Sequence, residues 1–479
     1  MEQSFIAYIE NSIKNNWDLD ALTDYKGATL QYKDVARKIE KLHIIFEESR
    51  IRKGDKIAVC GRNSSHWGVT FLATLTYGAV IVPILHEFKA DNVHNIVNHS
   101  EAKLLFVGDV VWENLNESAM PLLEGILMMN DFTLLVSRSE RLTHAREHLN
   151  EMFGKKFPKN FRKEHIEYHK DQPEELAVIN YTSGTTSYSK GVMLPYRSLW
   201  SNTAFAFEVL PLKAGDKIVS MLPMAHMYGL AFEFLYEFAV GCQIYFLTRM
   251  PSPKIIFQAF ADVKPNLIVA VPLIIEKIIK KSVLPKLETP TMKLLLKVPI
   301  INDKIKATVR EEMIKGFGGN FEAVIVGGAA FNQEVEQFLR MIDFPYTVGY
   351  GMTECGPIIC YEDWKRFKPG SCGKAALNME VKVLSPDPEN VVGEIVCKGP
   401  NVMLGYYKNE EATAQVIDKD GWLHTGDLAL EDAEGNITIK GRSKNMLLSA
   451  SGQNIYPEEI EDKLNNLPYL SLIHISEPT

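Results

Sequence analysis

Residues Tyr181–Leu194 read YTSGTTSYSKGVML. Six small hydroxyl side chains (Thr182, Ser183, Thr185, Thr186, Ser187 and Ser189) surround Gly184, and the run closes on Lys190-Gly191. A stretch this rich in short polar side chains cannot bury apolar surface, so it is expected to be a loop. Its backbone N–H groups and hydroxyls suit an anion, and Lys190 adds the charge that phosphate favours. Upstream, Leu176-Ala177-Val178-Ile179 is a short apolar run of the kind that forms a buried strand. Strand, hydroxyl-rich loop and lysine together have the layout of a triphosphate cradle. The Walker A spacing is not met. Ser189 precedes Lys190 where that motif needs Gly, and Gly191 follows where it needs Ser or Thr. Composition alone would suggest a solvated Ser/Thr linker, and the spacing argues against it.

The chain has 479 residues, more than one core accommodates, so two or three domains are expected. Hydrophobic residues make up 46% and charged residues 23%, the balance of a soluble globular enzyme. A formal charge of −8 disfavours a dedicated nucleic-acid binder, which would carry a basic face. Cys60, Cys242, Cys355, Cys360, Cys372 and Cys397 are scattered with no C-x-x-C pair, which fits buried thiols in a reducing cytoplasm. The N-terminus is amphipathic and carries early acids, unlike a signal peptide. The uncharged run Trp67–Leu85 is interrupted by Gly78 and Pro83. It therefore reads as a buried helix and a following strand rather than a membrane span.

Short apolar strands alternate with helical stretches: Lys56–Cys60, Ala79–Val82, Lys103–Val107, Lys217–Leu222, Gln243–Leu247, Leu267–Val271 and Ala323–Gly327. Helices are expected near Trp67–Tyr77 and Ala90–Asn98. The alternation implies an α/β chain of doubly wound parallel sheets. From about residue 345 the texture changes to short strands (Val381–Leu384, Gly393–Lys398, Asn436–Lys440) broken by turn signals, so a smaller β-rich subdomain is expected over about 345–440. Lys280–Lys306 is rich in Lys and Leu and reads as a mobile surface helix pair, with at most weak peripheral membrane contact.

The T-S-G-T-T…K-G pattern resembles the phosphate loop of the adenylate-forming (AMP-binding) superfamily, which includes acyl-CoA synthetases, luciferases and peptide-synthetase adenylation domains. Ser187 stands where that family usually has Gly, and Ser189 where it has Pro. Losing the Gly costs about 1 kcal/mol if a positive φ is needed there. Four further segments follow in the order the family requires. PMAHMYG (Pro223–Gly229) places His226 after an apolar strand and before an aromatic stretch of Phe232, Phe234, Tyr236 and Phe238. AVIVGGAA (Ala323–Ala330) is a strand running into a Gly-Gly turn. GYGMTE (Gly349–Glu354) fails as a dinucleotide fingerprint, because Glu354 stands where the third Gly is needed. WLHTGD (Trp422–Asp427) is followed by GRSK (Gly441–Lys444).

The resemblance implies roles at matching positions. Thr182, Ser183, Gly184, Thr185, Thr186 and Lys190 would hold the phosphates of ATP. His226 would lie by the reacting carboxylate, and the aromatic stretch after it would help wall a fatty chain. Gly328 and Ala329 would line the adenine, and Tyr350 and Gly351 would border it. Thr353 would meet the phosphoryl group. Glu354, read as a buried carboxylate, would bind Mg²⁺ together with Thr185. Asp427 would take the ribose hydroxyls, and Arg442 would contact ribose and phosphate. Lys444 would be the hinge of a C-terminal lid, and Gly452–Pro457 would border the thiol tunnel.

The implied chemistry is activation of a fatty acid by ATP to an acyl-adenylate, then transfer to the co-substrate CoA. The PMAHMYG segment and the G-x-N-I-x-P form are most similar to bacterial long-chain fatty-acid–CoA ligases. A ligase for another carboxylic acid and a catalytically dead nucleotide-binding fragment are the competing readings, with a P-loop kinase a distant third. The resemblance implies an adenylation domain over 1–443 and a hinge with a truncated α+β lid over 444–479. The family's lid is longer and carries a lysine near its end, for which this sequence has no counterpart. The last residues, Leu472–Thr479 (LIHISEPT), resemble translated adapter sequence, so 470–479 is read as artefactual. On that reading adenylation is expected to fall ~10²–10³-fold for the loss of one such charge. Thioester formation should fall further.

Overall fold

A computed structural model describes residues 4–182, 190–249, 251–287, 289 and 299–448, and beyond these 454, 455, 457, 460, 461 and 464. The chain divides into two compact units. The first comprises Met1–Ser252, Thr353–Pro357 and Met403–Glu410, and the second Pro253–Met352, Ile358–Val402 and Glu411–Thr479.

The first unit is organised by an eight-stranded sheet. Its strands in chain order are β1 (Lys56–Cys60), β2 (Val80–Ile84), β3 (Leu104–Val107), β4 (Gly125–Met128), β5 (Leu134–Ser137), β6 (Leu176–Thr182), β7 (Lys190–Pro195) and β8 (Gly405–Tyr406). Across the sheet they run β8-β7-β6-β2-β1-β3-β4-β5. The five strands from β6 to β4 are parallel. β5, β7 and β8 each run antiparallel to a neighbour. The α/β class expected from the alternation is borne out, but the sheet is mixed. The stretches of chain after β4 and β6 are short enough for antiparallel return, whereas a parallel crossover needs a dozen or more residues. A four-stranded sheet adds Lys217–Ser220, Gln243–Phe246, Asp20–Asp24 and Thr29–Gln31 in that order.

The uncharged run near Trp67 behaves as its composition requires. Ser64 caps the helix Ser65–Tyr77, its Oγ accepting from the Trp67 N–H at 3.2 Å, and Gly78 ends it in the left-handed conformation. The whole helix is buried apart from His66 and Tyr77, which are half-buried, and Trp67 stacks on Phe71. Strand β2 follows it into the core. No helix among the described residues is long and apolar enough to cross a membrane. All six cysteines are buried thiols.

The second unit begins with a three-stranded parallel sheet of Ile268–Ala270, Val324–Val326 and Tyr346–Val348. Two antiparallel sheets follow. One holds Tyr350–Gly351, Ile358–Tyr361 and Lys374–Ala375. The other holds Glu380–Leu384, Gly393–Lys398, Leu423–Glu431 and Ile437–Arg442. The Lys/Leu-rich region is helical on both sides, ending a helix at Leu284–Leu287 and resuming at Pro299–Gly316, with 288 and 290–298 outside the described residues. Most of the stretch after residue 448 also lies outside them. Asn454–Ile455 pairs antiparallel with Leu447–Leu448.

The aromatic stretch after His226 is less regular than a simple helix. Met227–Leu230 is α-helical, Ala231–Leu235 is a π turn, and Tyr236–Val240 resumes the α form. Phe234 packs edge-on to Trp67 and Phe71, and Phe238 lies against Tyr32. The expected lining of a fatty-chain channel is therefore directed, at these two positions, into the core. Glu233 and Glu237 are wholly buried in the same segment. Glu233 Oε2 accepts the N–H groups of Met221 and Leu222 at 3.0 and 2.8 Å. Neither Glu237 oxygen has a protein partner among the described residues.

Burial raises Glu237 from 4.5 to about 8, and burial with the charge of Glu237 lifts Glu233 well above the carboxylate range against the pull of its backbone donors. A raised acid holds its proton more tightly folded than unfolded. The stability that results is full below about pH 4.5 and is lost as pH rises through about 8. Glu237→Gln keeps the shape and removes the titration. We expect thermal melts from about pH 5 to about pH 9 to fall less steeply in the variant than in the parent. Parallel slopes would show that Glu237 is ionised in the fold.

Candidate active site

The hydroxyl-rich segment is held at both ends by strand pairing. β6 extends through Thr182 and β7 begins at Lys190, and these two residues face each other across the ladder. Lys190–Leu194 was expected to be loop and is strand. Its alternation of Lys190, Val192 and Leu194 with Gly191 and Met193 fits a pleated neighbour. Gly191 is required there, since a Cβ would lie 2.9 Å from Ile179 and 3.0 Å from the Tyr181 ring. Ser183, Gly184, Thr185 and Thr186 fall in 183–189, outside the described residues.

Three side chains converge at the Lys190 end. Lys190 Nζ sits over the Tyr406 ring, 4.8 Å from its centroid. The Tyr406 hydroxyl donates to Glu354 Oε1 at 2.8 Å. Tyr406 lies on the edge strand β8 opposite Val192, and the Glu354 carbonyl accepts from the Met403 N–H at 2.8 Å. Burial and the Glu354 carboxylate raise the Tyr406 phenol, so it stays a donor. Glu354 is half-buried rather than buried as expected, in the short turn Thr353–Cys355. That turn is fixed from helix Tyr196–Val209, where Asn202 Nδ2 donates to the Cys355 carbonyl at 3.0 Å. Gly356 has φ +63°, and a Cβ on it would come 2.3 Å from Ser198 Oγ.

His226 heads the helical stretch from Met227 and its residue is exposed. Desolvation by the surrounding protein lowers its pKa below 6.5 against the opposing charge of Glu87, so the ring is a neutral acceptor near pH 7. Buried polar side chains pin the backbone before it. Asn180 on β6 donates to the Ala225 carbonyl at 2.8 Å, and Asn63 accepts from the Met224 N–H at 3.0 Å while donating to the Leu222 carbonyl at 2.7 Å.

In the second unit Asp427 is the centre of a polar cluster. Tyr350 donates its hydroxyl to Asp427 Oδ2 at 2.5 Å, and Arg442 Nε lies 3.0 Å from Oδ1. Asp427 and Arg442 are strand partners in register. Gly426 turns left-handed at φ +72°, and its N–H donates to Glu394 Oε1 at 3.0 Å. The Asp427 N–H donates to Thr425 Oγ1 at 3.0 Å. Asp427 is only 6% exposed, and its carboxylate is an acceptor of the type that suits a ligand hydroxyl. Gly328, with φ +88°, and Ala329 are exposed in the turn after Val324–Val326. Gly351 follows Tyr350 in its strand, and Lys444 is exposed after the strand carrying Arg442.

The first unit thus brings Thr182, Lys190 and Glu354 to one place, with Thr353 next in chain, and the second joins Tyr350, Asp427 and Arg442. Sequence reasoning missed Tyr406, Asn180, Asn63 and Asn202. Tyr406 sits in Gly405-Tyr406-Tyr407, a turn-and-aromatic signal too common to select. It also missed a cavity of about 810 Å³ at the carboxyl ends of β1, β2, β3 and β4, lined in part by Arg62, His86, Lys89, Asp109, Asn130 and Arg249. Ligands favour that end of open α/β sheets. For Mg²⁺ the donor type fits: it binds through one or two carboxylates and substrate phosphates, and Glu354 would supply one hard oxygen ligand. Among the described residues no cluster of three or more His, Cys, Asp or Glu forms a dedicated metal cage.

Mixed α/β sheets, followed by antiparallel sheets that carry the Asp427 cluster, make up the N-terminal architecture of adenylate-forming enzymes. It superposes on ATP-bound MatB from Rhodopseudomonas palustris with a TM-score of 0.77 at 22% identity, covering 98% of this chain and 84% of that one. The chain belongs to the family of AMP-binding enzymes, whose model matches residues 9–407. It is 29% identical over 475 residues to long-chain-fatty-acid–CoA ligase 5 of Rattus norvegicus, covering 90% of this chain and 67% of that protein. It is 28% identical over 488 residues to long-chain-fatty-acid–CoA ligase ACSBG2 of the same species, covering 96% of this chain and 71% of that protein. The chain therefore spans about two thirds of the length of these relatives. It is an adenylate-forming ligase.

Gly356→Ala tests how the Glu354 turn is held. The left-handed φ alone costs about 1–2 kcal/mol. The contact with Ser198 adds to it, so melting should fall by several degrees. Adding Ser198→Ala should restore part of the loss. An unchanged melting temperature in the single variant would mean the turn is not constrained as described.

Proposed function

We propose that this chain activates the carboxylate of a fatty acid with ATP and passes the acyl group to CoA. The observation that carries the reading is the Lys190–Tyr406–Glu354 arrangement at the end of the hydroxyl-rich segment. A carboxylate is a poor electrophile because oxide is its leaving group. Attack of its oxygen on the α-phosphorus of ATP forms an acyl-adenylate and expels pyrophosphate. A thiol then attacks the acyl carbon, AMP departs with the bonding pair, and the thiol proton passes to solvent. The protein's work is positioning and charge neutralisation.

Lys190 would meet the β- and γ-phosphates, with Thr182–Thr186 wrapping them. Bound Mg²⁺ would neutralise phosphate charge, and Glu354, aimed by Tyr406, would hold it. Thr353 and neutral His226 would lie at the reacting groups. Asp427, held by Tyr350 and Arg442, suits a ribose diol, with Gly328, Ala329 and Gly351 beside the base. The cavity lined by Arg62, Lys89 and Arg249 has the charge and size for the phosphates of CoA. The names of the relatives support a long-chain acid. The core packing of Phe234 and Phe238 favours testing shorter acids beside it.

ATP–pyrophosphate exchange across acids of rising chain length tests the reading, with calorimetric binding of a fatty-acyl-AMP analogue alongside. Lys190→Ala should lower exchange ~10²–10³-fold. Tyr406→Phe should lower it about tenfold through one lost hydrogen bond to a charged group. No acid-dependent exchange together with no affinity for the analogue would end the proposal. For CoA, Lys89→Ala with Arg249→Ala should weaken binding of CoA about tenfold and leave exchange unchanged. Equal affinity would move CoA elsewhere.

A further inference from the structure

A second cationic cavity, of about 370 Å³, lies in the first unit and has no part in the reading above. It is lined by Arg37, Lys38 and Lys41 of helix Tyr32–Glu48 and by Arg146 of helix Glu140–Glu147, with Asp34 and Asp131 the only carboxylates among its lining residues. The floor is apolar, formed by Leu30, Leu42, Phe132 and Leu149. In a chain of net charge −8, four cations around one cavity do not follow from a basic composition. Their spacing does the gathering, because positions 37, 38 and 41 share one helix face.

The partners of these cations are weak. Lys41 Nζ donates to the neutral Asn150 Oδ1 at 2.8 Å. Arg146 Nε donates to the Phe132 carbonyl at 2.6 Å. Lys38 Nζ lies 3.1 Å from His66 Nε2, and the charge of Lys38 in turn helps to hold that imidazole neutral. Arg37 meets Asp34 only at 3.4 Å, both partly exposed, a pair worth little in water. Asp131 Oδ1 accepts from the Thr133 N–H at 2.9 Å. Burial and mutual repulsion lower both lysines: Lys38 through Lys41, against Asp34, and Lys41 through Arg37 and Arg146. Such a set gains most from an anion that accepts from several directions at once.

We propose that this cavity is a binding site for a phosphate dianion, either free phosphate or the headgroup of a phosphomonoester. Four cations against two carboxylates match a dianion, and each of the two guanidinium forks can give paired hydrogen bonds to phosphate oxygens.

Calorimetry with inorganic phosphate tests this on the full chain, with MgATP and CoA present in excess to occupy any other phosphate-binding surface. The parent should retain one phosphate site, and Arg37→Gln with Lys41→Gln should weaken it about tenfold or more. Both side chains are at least partly exposed, so the fold should survive, and a melting curve checks it. Lys41→Arg keeps the charge and should keep binding. Cosedimentation with vesicles of phosphatidate in phosphatidylcholine separates the sources. Recruitment lost in the double variant assigns a lipid headgroup, and its absence assigns a soluble phosphate. No phosphate binding above that of chloride at equal ionic strength, or binding equal in parent and double variant, would overturn the proposal.

Discussion

Backbone pairing along β6 is the constraint on which the first unit's site depends. The strand is internal, paired with β2 at Val178 opposite Ile81 and with β7 from Leu176 to Thr182. Asn180 extends from it to hold Ala225, and with it the approach to His226. Two residues on, Thr182 faces Lys190 and sets where the hydroxyl-rich segment leaves and returns. β7 then carries β8 and so Tyr406. The register of one ladder therefore positions a histidine, a lysine and, through a phenol, a carboxylate. Register in a sheet with a buried face is strongly specified, because a slip of one residue turns every side chain over.

Much of the architecture was legible because periodicity survives folding. Lys56–Cys60 and Gly393–Lys398 form strands over the residues the pattern marks. The Trp67 run is a buried helix, as its glycine and proline required. The antiparallel edges of the large sheet were not legible, since an apolar strand reads alike in either direction. The strand at Lys190–Leu194 was missed for a different reason: hydroxyl-rich composition upstream masked the alternation that begins at the lysine.

The candidate residues stood out where one side chain could carry chemistry. Glu354, Asp427, Arg442 and Lys190 stood out by residue type and by the family resemblance of their motifs. Their supports did not. Tyr406, Asn180 and Asn202 act by directing another group, and nothing local marks an asparagine that will meet a carbonyl 45 or 153 positions away. The aromatic stretch after His226 illustrates the converse. Its composition suggested a ligand wall, while Phe234 in the π turn at Ala231–Leu235 packs against Trp67 and two acids, Glu233 and Glu237, lie buried in the same stretch.

Tyr406 has a consequence beyond aiming Glu354. Lys190 and Glu354 carry opposite charges, and direct contact would let each quench the other. The ring stands between them, offering its π face to the ammonium and its hydroxyl to the carboxylate. On the proposed reading the aromatic ring works as an insulator, keeping a positive and a negative pole apart for a ligand that needs both.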